Sequence, residues 1–188
     1  TDGRNYHTLA EVSDYGARVA GTVGVMMAIL MGIKDHATLA RAADLGVAMQ
    51  LTNICRDVGE DARAGRLYLP RDLMHKAGID PDNFLRNPAP SAQLAKVIQQ
   101  VLTEAQRRYH LADEGIRQLP RSCRPGILAA RRLYAEIGHT VARNHYDSIN
   151  QRAVVSRARK LQILLGLIRG PNAAPEYMMV PCAAENQF

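Results

Sequence analysis

The chain has 188 residues, 47% of them hydrophobic, and a net charge of +6. That is long enough to enclose one sizeable core and too apolar for a disordered chain. Its three cysteines, Cys55, Cys123 and Cys182, include no C-x-x-C pair, which excludes a disulfide framework and a thiolate metal site and fits a reducing compartment.

The first residues are polar and carry no secretory leader pattern. Thr8 and Glu11 have the spacing of a capping box and predict a helix running to about Ile33. Within it, the fifteen residues 19–33 carry no charge. This run is short for a membrane span and is expected to be a buried core helix, with Met26, Met27 and Met31 in the core. Gly16, Gly21 and Gly24 cost helix propensity and imply close approach of another backbone or a ligand. Asp35 is placed to cap a second helix that ends near Gly65. A short helix is expected at 72–77, then a turn-rich connection, "GIDPDNFLRNPAP". Long helices follow at 91–118 and 124–149, each with i, i+3, i+4 apolar spacing, and a last one at 155–168. His139 and His145 have no metal-ligand spacing and read as surface or capping residues. Residues 1–170 read as one domain and 171–188 as a flexible tail. Strand patterns are absent, so the predicted architecture is all-α, long helices with short links.

The most informative stretch is "QLTNICRDVGEDARAGRLYLP", residues 50–70. On a helix, Gln50, Asn53, Asp57, Glu60 and Asp61 share an arc about 100° wide, with Val47, Leu51, Ile54, Cys55, Val58 and Ala62 on the opposite side. The polar arc has no Lys, and its one cation, Arg56, lies at the flank. Solvated faces usually alternate sign at i,i+4. Asn, Asp and Asp at i, i+4 and i+8, read as unpaired negative charge, suit a hard divalent cation. An acidic surface stripe is the competing reading. Charge is uneven along the chain: residues 1–61 hold five Lys/Arg and eight Asp/Glu, whereas 121–169 hold ten cations and two acids. That basic stretch suits nucleic acid, anionic lipid or a phosphorylated small molecule.

The sequence resembles the phytoene and squalene synthase family, the head-to-head isoprenyl diphosphate synthases. Two blocks carry the resemblance: "DYGARVAGTVGVMM" at 14–27, and the 50–70 stretch, which is similar to the family's second aspartate-rich motif followed by Gly-Arg-x-Tyr-Leu-Pro. "RRLYAEIG" at 131–138 and "QRAVVSRARK" at 151–160 look most like bacterial phytoene synthases. The similarity runs from about residue 2 to 168.

The resemblance implies an isoprenoid-synthase-type helical bundle with a central cleft. It implies Mg-dependent (or Mn-dependent) condensation of two geranylgeranyl diphosphates to phytoene. Asn53, Asp57 and Asp61 would hold the metal, with Glu60 nearby but not a ligand. Tyr15 and Arg56 would be catalytic. Gln50, Arg66, Tyr134 and Arg152 would bind substrate, the arginines by forked contacts to phosphate. The family's first aspartate-rich motif lies upstream of the Val-Ala-Gly helix, so the chain is expected to be the C-terminal portion of the domain, partnered by upstream helices of the same polypeptide. The downstream helices hold no substitute. A forty-carbon product implies a cytoplasmic protein that touches a membrane surface, with no nucleic-acid partner. Squalene or dehydrosqualene formation from farnesyl diphosphate is the alternative within the family; no nucleotide-binding glycine motif supports an NADPH step. A basic helical nucleic-acid- or lipid-binding module is the alternative of another class.

Overall fold

The computed structural model describes residues 5–168, and those residues form helices and links without a strand. The expected tail at 171–188 lies outside the described residues, as does Cys182.

Thr8 caps α1 (Leu9–Gly16), its Oγ1 accepting from the Glu11 amide at 3.2 Å. Glu11 reaches back one residue further than a capping box requires, accepting from the His7 amide at 2.7 Å. The helix then widens into a π-helical turn (Ala17–Gly21) before continuing as α2 (Thr22–Leu30). The predicted helix therefore stops near Leu30 and carries a bulge over its Val-Ala-Gly segment, a distortion that often marks a functional stretch.

Asp35 caps α3 (His36–Arg56), accepting from the Ala37 and Thr38 amides at 3.0 and 3.2 Å. α3 is the central helix. Val47, Ala48, Leu51, Ile54 and Cys55 are buried on it and pack against Leu94, Val97, Ile98, Val101 and Ala105 of α7 (Ala92–Ile116). The predicted single helix to Gly65 instead breaks at Asp57 (φ −102, ψ 12), and α4 (Val58–Arg63) follows. α5 (Arg71–Lys76) matches its prediction. α6 (Pro81–Arg86) corrects the reading of "GIDPDNFLRNPAP" as pure connection. Asp80 caps it by accepting from the Asp82 amide, Pro81 sits at its first position, and Phe84 is buried. Such a six-residue helix is too short to show periodicity.

α8 (Arg124–Arg143) ends six residues before the predicted stop. The turn after it holds His145 and Tyr146 at positive φ. Asp147 then accepts from the Ile149 and Asn150 amides at 3.0 Å each. This link lies on α4, where the Gly59 amide donates to Ser148 O at 3.0 Å and Arg63 donates to Ile149 O. α9 (Arg157–Ile168) closes the described chain. It is stapled to α8 by Glu136, whose carboxylate is 1% exposed and accepts from Arg159 (3.0 and 3.1 Å) and Arg143 (2.8 Å).

The uncharged 19–33 segment is not a buried core helix. Only Gly21 and Ala28 within it are buried, while Val19, Val23, Met26, Met27, Ile29 and Leu30 are exposed, Leu30 by 81%. One edge packs tightly on α3: a Cβ on Gly24 would meet Ala42 O, and one on Gly46 would meet Ala20 O, each inside van der Waals distance. The rest faces a cleft or solvent. Met27 and Met31 line that cleft and Met26 is 55% exposed, so the methionines are not plain core.

Candidate functional site

An apolar cleft of about 310 Å³ runs along α3 between α2, α7 and α8. Its walls come from Val23, Met27, Leu45, Met49, Ile116 and Ala130, among others. Gln50, Asn53 and Tyr134 line it toward the C-terminal end of α3. The Asn53 Oδ1 is buried and has no hydrogen-bond partner. A buried orphan acceptor is costly, by about 1–3 kcal/mol, and in the lining of a cleft it offers a lone pair to whatever enters.

Just past Asn53, the next polar residues of the motif form an ion-pair cluster. Arg56 donates to both oxygens of Asp57 (2.8 and 2.5 Å), and Arg152, 95 residues away, donates to Asp57 Oδ1 at 2.9 Å. Glu60 is exposed, with its carboxylate 3.3 Å from Arg152. Arg66 donates to Asp61 Oδ1 from Nε (3.1 Å) and a terminal nitrogen (2.9 Å). It can do so because Gly65 takes a left-handed φ of 70° after α4, returning the Arg66 amide to Asp61 O at 2.8 Å. The expectation of unpaired negative charge is thus corrected: a scan at i,i+4 cannot see a fold-back at i+5 or a partner on a distant link. Asp57 and Asp61, both 18% exposed, feel opposite balances. Burial pushes the Asp57 carboxyl up, but the hydrogen-bonded Arg56 and then Arg152 outweigh it and hold its pKa below the ordinary value. Burial also raises Asp61, and Arg66 does not fully offset it, so its pKa lies above the ordinary value.

Tyr15 does not line the cleft. It stacks on Tyr68 (centroids 5.5 Å apart) and tilts against Tyr6 (5.2 Å). Burial, then the neighbouring Tyr68, pushes its pKa to about 12, so its phenol stays protonated. Tyr68 was available to sequence reasoning as the tyrosine of the quoted Gly-Arg-x-Tyr-Leu-Pro run; Tyr6 carried no signal. On α7, Tyr109 is buried with its hydroxyl 3.1 Å from Thr52 Oγ1, and the Arg131 guanidinium lies 5.2 Å over its ring. His139, read as a surface residue, is half-buried on α8, and burial lowers its pKa.

The structure therefore joins Gln50, Asn53 and Tyr134 at the cleft and joins Arg56, Asp57 and Arg152, with Asp61 and Arg66, in ion pairs beyond it. The donor set toward a cation is all oxygen: the orphaned Asn53 amide and two carboxylates, each with lone pairs left over. That is the ligand class magnesium prefers, with few protein carboxylates and the rest from phosphate or water. Among the described residues no three His, Cys, Asp or Glu side chains form a metal site by themselves, so Asn53, Asp57 and Asp61 fit a cation whose remaining ligands come from phosphate or water.

Comparison with known proteins identifies the family. A profile of the squalene/phytoene synthase family matches residues 1–159. The phytoene synthase of Rhodobacter capsulatus is 52% identical over 163 residues, covering 87% of this chain and 48% of that protein. The phytoene synthase of Cereibacter sphaeroides is 51% identical over 165 residues, covering 88% and 46%. A crystal structure of a dehydrosqualene synthase in complex with ligand superposes with a TM-score of 0.78 at 31% identity, covering 89% of this chain and 59% of that one. The chain spans about half the length of the sequence relatives it matches. With the 50–70 motif, the all-helical cleft and the family profile in agreement over most of its length, the chain belongs to the squalene/phytoene synthase family.

Proposed function

We propose that this chain is the part of a phytoene synthase that holds diphosphate and most of one prenyl chain, working with upstream helices of the same polypeptide. The observation that carries the reading is a juxtaposition. An apolar cleft has a buried, unpartnered Asn53 Oδ1 in its lining, and two carboxylates and three arginines continue from that residue.

In the proposed reaction one geranylgeranyl diphosphate loses diphosphate as its allylic C–O bond breaks. The double bond of a second molecule attacks the cation, and proton loss closes the cyclopropane of prephytoene diphosphate. Ionisation of the second C–O bond, rearrangement and loss of another proton give phytoene. Asn53, Asp57 and Asp61 supply the oxygens that would hold magnesium or manganese, while Gln50 contributes a neutral polar contact one turn earlier. When bound, such a cation neutralises charge on the leaving diphosphate. Arg56, Arg66 and Arg152 can exchange a carboxylate for a phosphate oxygen, since a guanidinium fork suits both. The apolar walls exclude water from the carbocation. Tyr134 presents an aromatic ring to it, and Tyr15, kept neutral, adds a polar but uncharged edge near Asp61.

Hydrocarbon extraction after incubation with substrate and Mg²⁺ tests the proposal. A polypeptide that includes the upstream half should convert geranylgeranyl diphosphate to phytoene, and residues 1–188 alone should make little or none. A preference for farnesyl diphosphate would favour the dehydrosqualene reading that the structural neighbour suggests. Robust phytoene from residues 1–188 would show that the upstream aspartate-rich motif is dispensable or is supplied by a second copy.

Among the described residues no helix is long and apolar enough to cross a membrane. α9 leaves Leu161, Leu164 and Leu165 exposed in a helix that also carries Arg157 and Lys160, which suits peripheral contact with an anionic bilayer. Co-sedimentation with anionic vesicles but not neutral ones is the expected result; equal partition would count against it.

A further inference from the structure

One residue of the cleft has no place in the chemistry proposed above. Among the described residues, Arg41 is the sole charged side chain that lines it. It sits twelve residues before Asn53 on α3, about 18 Å along the helix at 1.5 Å per residue. The lining also includes Thr38, one turn further along α3, and Ile116, next to the Gly115 that abuts Arg41. An arginine so placed would attract an anion if its charge were free, but it is not. A terminal nitrogen of Arg41 donates to Asp44 at 2.7 Å, and its Nε lies 3.5 Å from Glu114. Asp44 in turn accepts from Arg108 at 2.9 Å, and Arg108 donates to Glu104 at 2.8 Å. The stem is fixed as well: a Cβ on Gly115 would collide with Arg41 Cβ, so α7 has a glycine where that stem crosses it.

We infer that Arg41, held by Asp44 and Glu114 at the end of the cleft away from Asn53, sets the longest prenyl chain the cleft accepts. The inference rests on the prenyl-diphosphate reading of the site. With the diphosphate at the Asn53 end, the hydrocarbon runs along α3 toward Arg41. The apolar wall welcomes each isoprene unit until the chain reaches the guanidinium. Any further unit must lie against a paired charge, shedding the water that solvates the 32%-exposed Arg41 side chain without supplying a hydrogen bond in return. Arg41 thus acts as a polar stop on specificity rather than as a catalytic residue.

Removing it should not unfold the protein. Asp44 keeps Arg108, and the Glu114 side chain is already 66% exposed, so no carboxylate is stranded without a cation or water. Arg41→Ala removes both bulk and charge, and Arg41→Met keeps the stem length without charge.

The test is calorimetric titration of the chain, with Mg²⁺, with non-hydrolysable thio-analogues of farnesyl, geranylgeranyl and geranylfarnesyl diphosphate and with inorganic pyrophosphate. The wild-type chain should bind the twenty-carbon analogue most tightly and lose about tenfold or more at twenty-five carbons, the scale on which apolar pockets discriminate. Arg41→Ala should erase that loss and leave pyrophosphate affinity unchanged. Arg41→Met should recover part of it, which assigns the recovered share to bulk and the remainder to charge. An unchanged preference for twenty over twenty-five carbons in Arg41→Ala would overturn the inference. A wild-type chain that bound pyrophosphate but no prenyl analogue more tightly would overturn the cleft reading, and with it this one.

Discussion

Asn53 is the residue at which function and stability pull apart. Its Oδ1 is buried without a partner in the protein, a desolvation cost that a hydrogen bond or metal contact at that atom relieves. Replacing such a group by an apolar one of similar shape is often neutral or stabilising. Asn53→Leu should therefore unfold at the same temperature as the parent or slightly higher, by up to about 1 kcal/mol, while losing metal-dependent pyrophosphate binding. Thermal unfolding and titration on the same sample check both halves; a clear loss of stability would mean that the amide is satisfied in the folded protein. Residue types and helical spacing made Gln50, Asn53 and Asp57 legible in the sequence. Their electrostatic setting was not, because it depends on Arg152 arriving from a link 95 residues on and on Gly65 turning Arg66 back to Asp61.

At the scale of elements, caps and periodicity carried most of the fold. Thr8, Asp35 and Ser91 each cap where their sequence context places a helix start. What periodicity could not carry was side: an uncharged run reads as core, yet α2 turns most of its apolar surface to the cleft and to solvent, and only its small residues meet α3. That contact is tight enough to predict a cost. Gly46→Ala would put a Cβ against Ala20 O and the Gly21 amide, backbone atoms that cannot swing aside, so about 1–3 kcal/mol should be lost and the cleft wall displaced. Chemical denaturation measures the first; a wild-type midpoint would mean that α2 slides freely. The α8–α9 staple has a pH signature. Burial raises the Glu136 carboxyl, but the hydrogen bonds from Arg159 and Arg143 hold its folded pKa below the ordinary 4.5. A depressed carboxylate contributes stability that is fully present above its unfolded pKa and is lost as pH falls through the folded one. Hydrogen exchange in α9 should thus be slow at pH 6–7 and accelerate as acid protonates Glu136. Glu136→Gln should cost about 3 kcal/mol, the low end for breaking a buried pair, because both arginines reach water. It should also abolish that acid dependence; a variant that kept it would place the titrating group elsewhere.

For the whole molecule, the described helices enclose a cleft along α3 and leave the acidic and arginine-rich motif at one end of it. Stabilisation of developing charge is commonly the largest catalytic contribution, and a single such contact is worth about 2.7–4 kcal/mol. A chain that spans about half the length of its relatives can therefore bind and yet fail to turn over. Binding is accordingly the property that tells whether Asn53, Asp57 and Asp61 with their arginines take a metal-bound diphosphate. The decisive measurement is the affinity of residues 1–188 for inorganic pyrophosphate with Mg²⁺ present and after its removal by chelator. Measurable binding is expected with Mg²⁺, at least about tenfold weaker without it, as when charge-assisted contacts of about 1.5–3 kcal/mol are lost, and equally weakened by Asp57→Asn. Pyrophosphate that bound as tightly without Mg²⁺, and to Asp57→Asn as well as to the parent, would contradict that expectation.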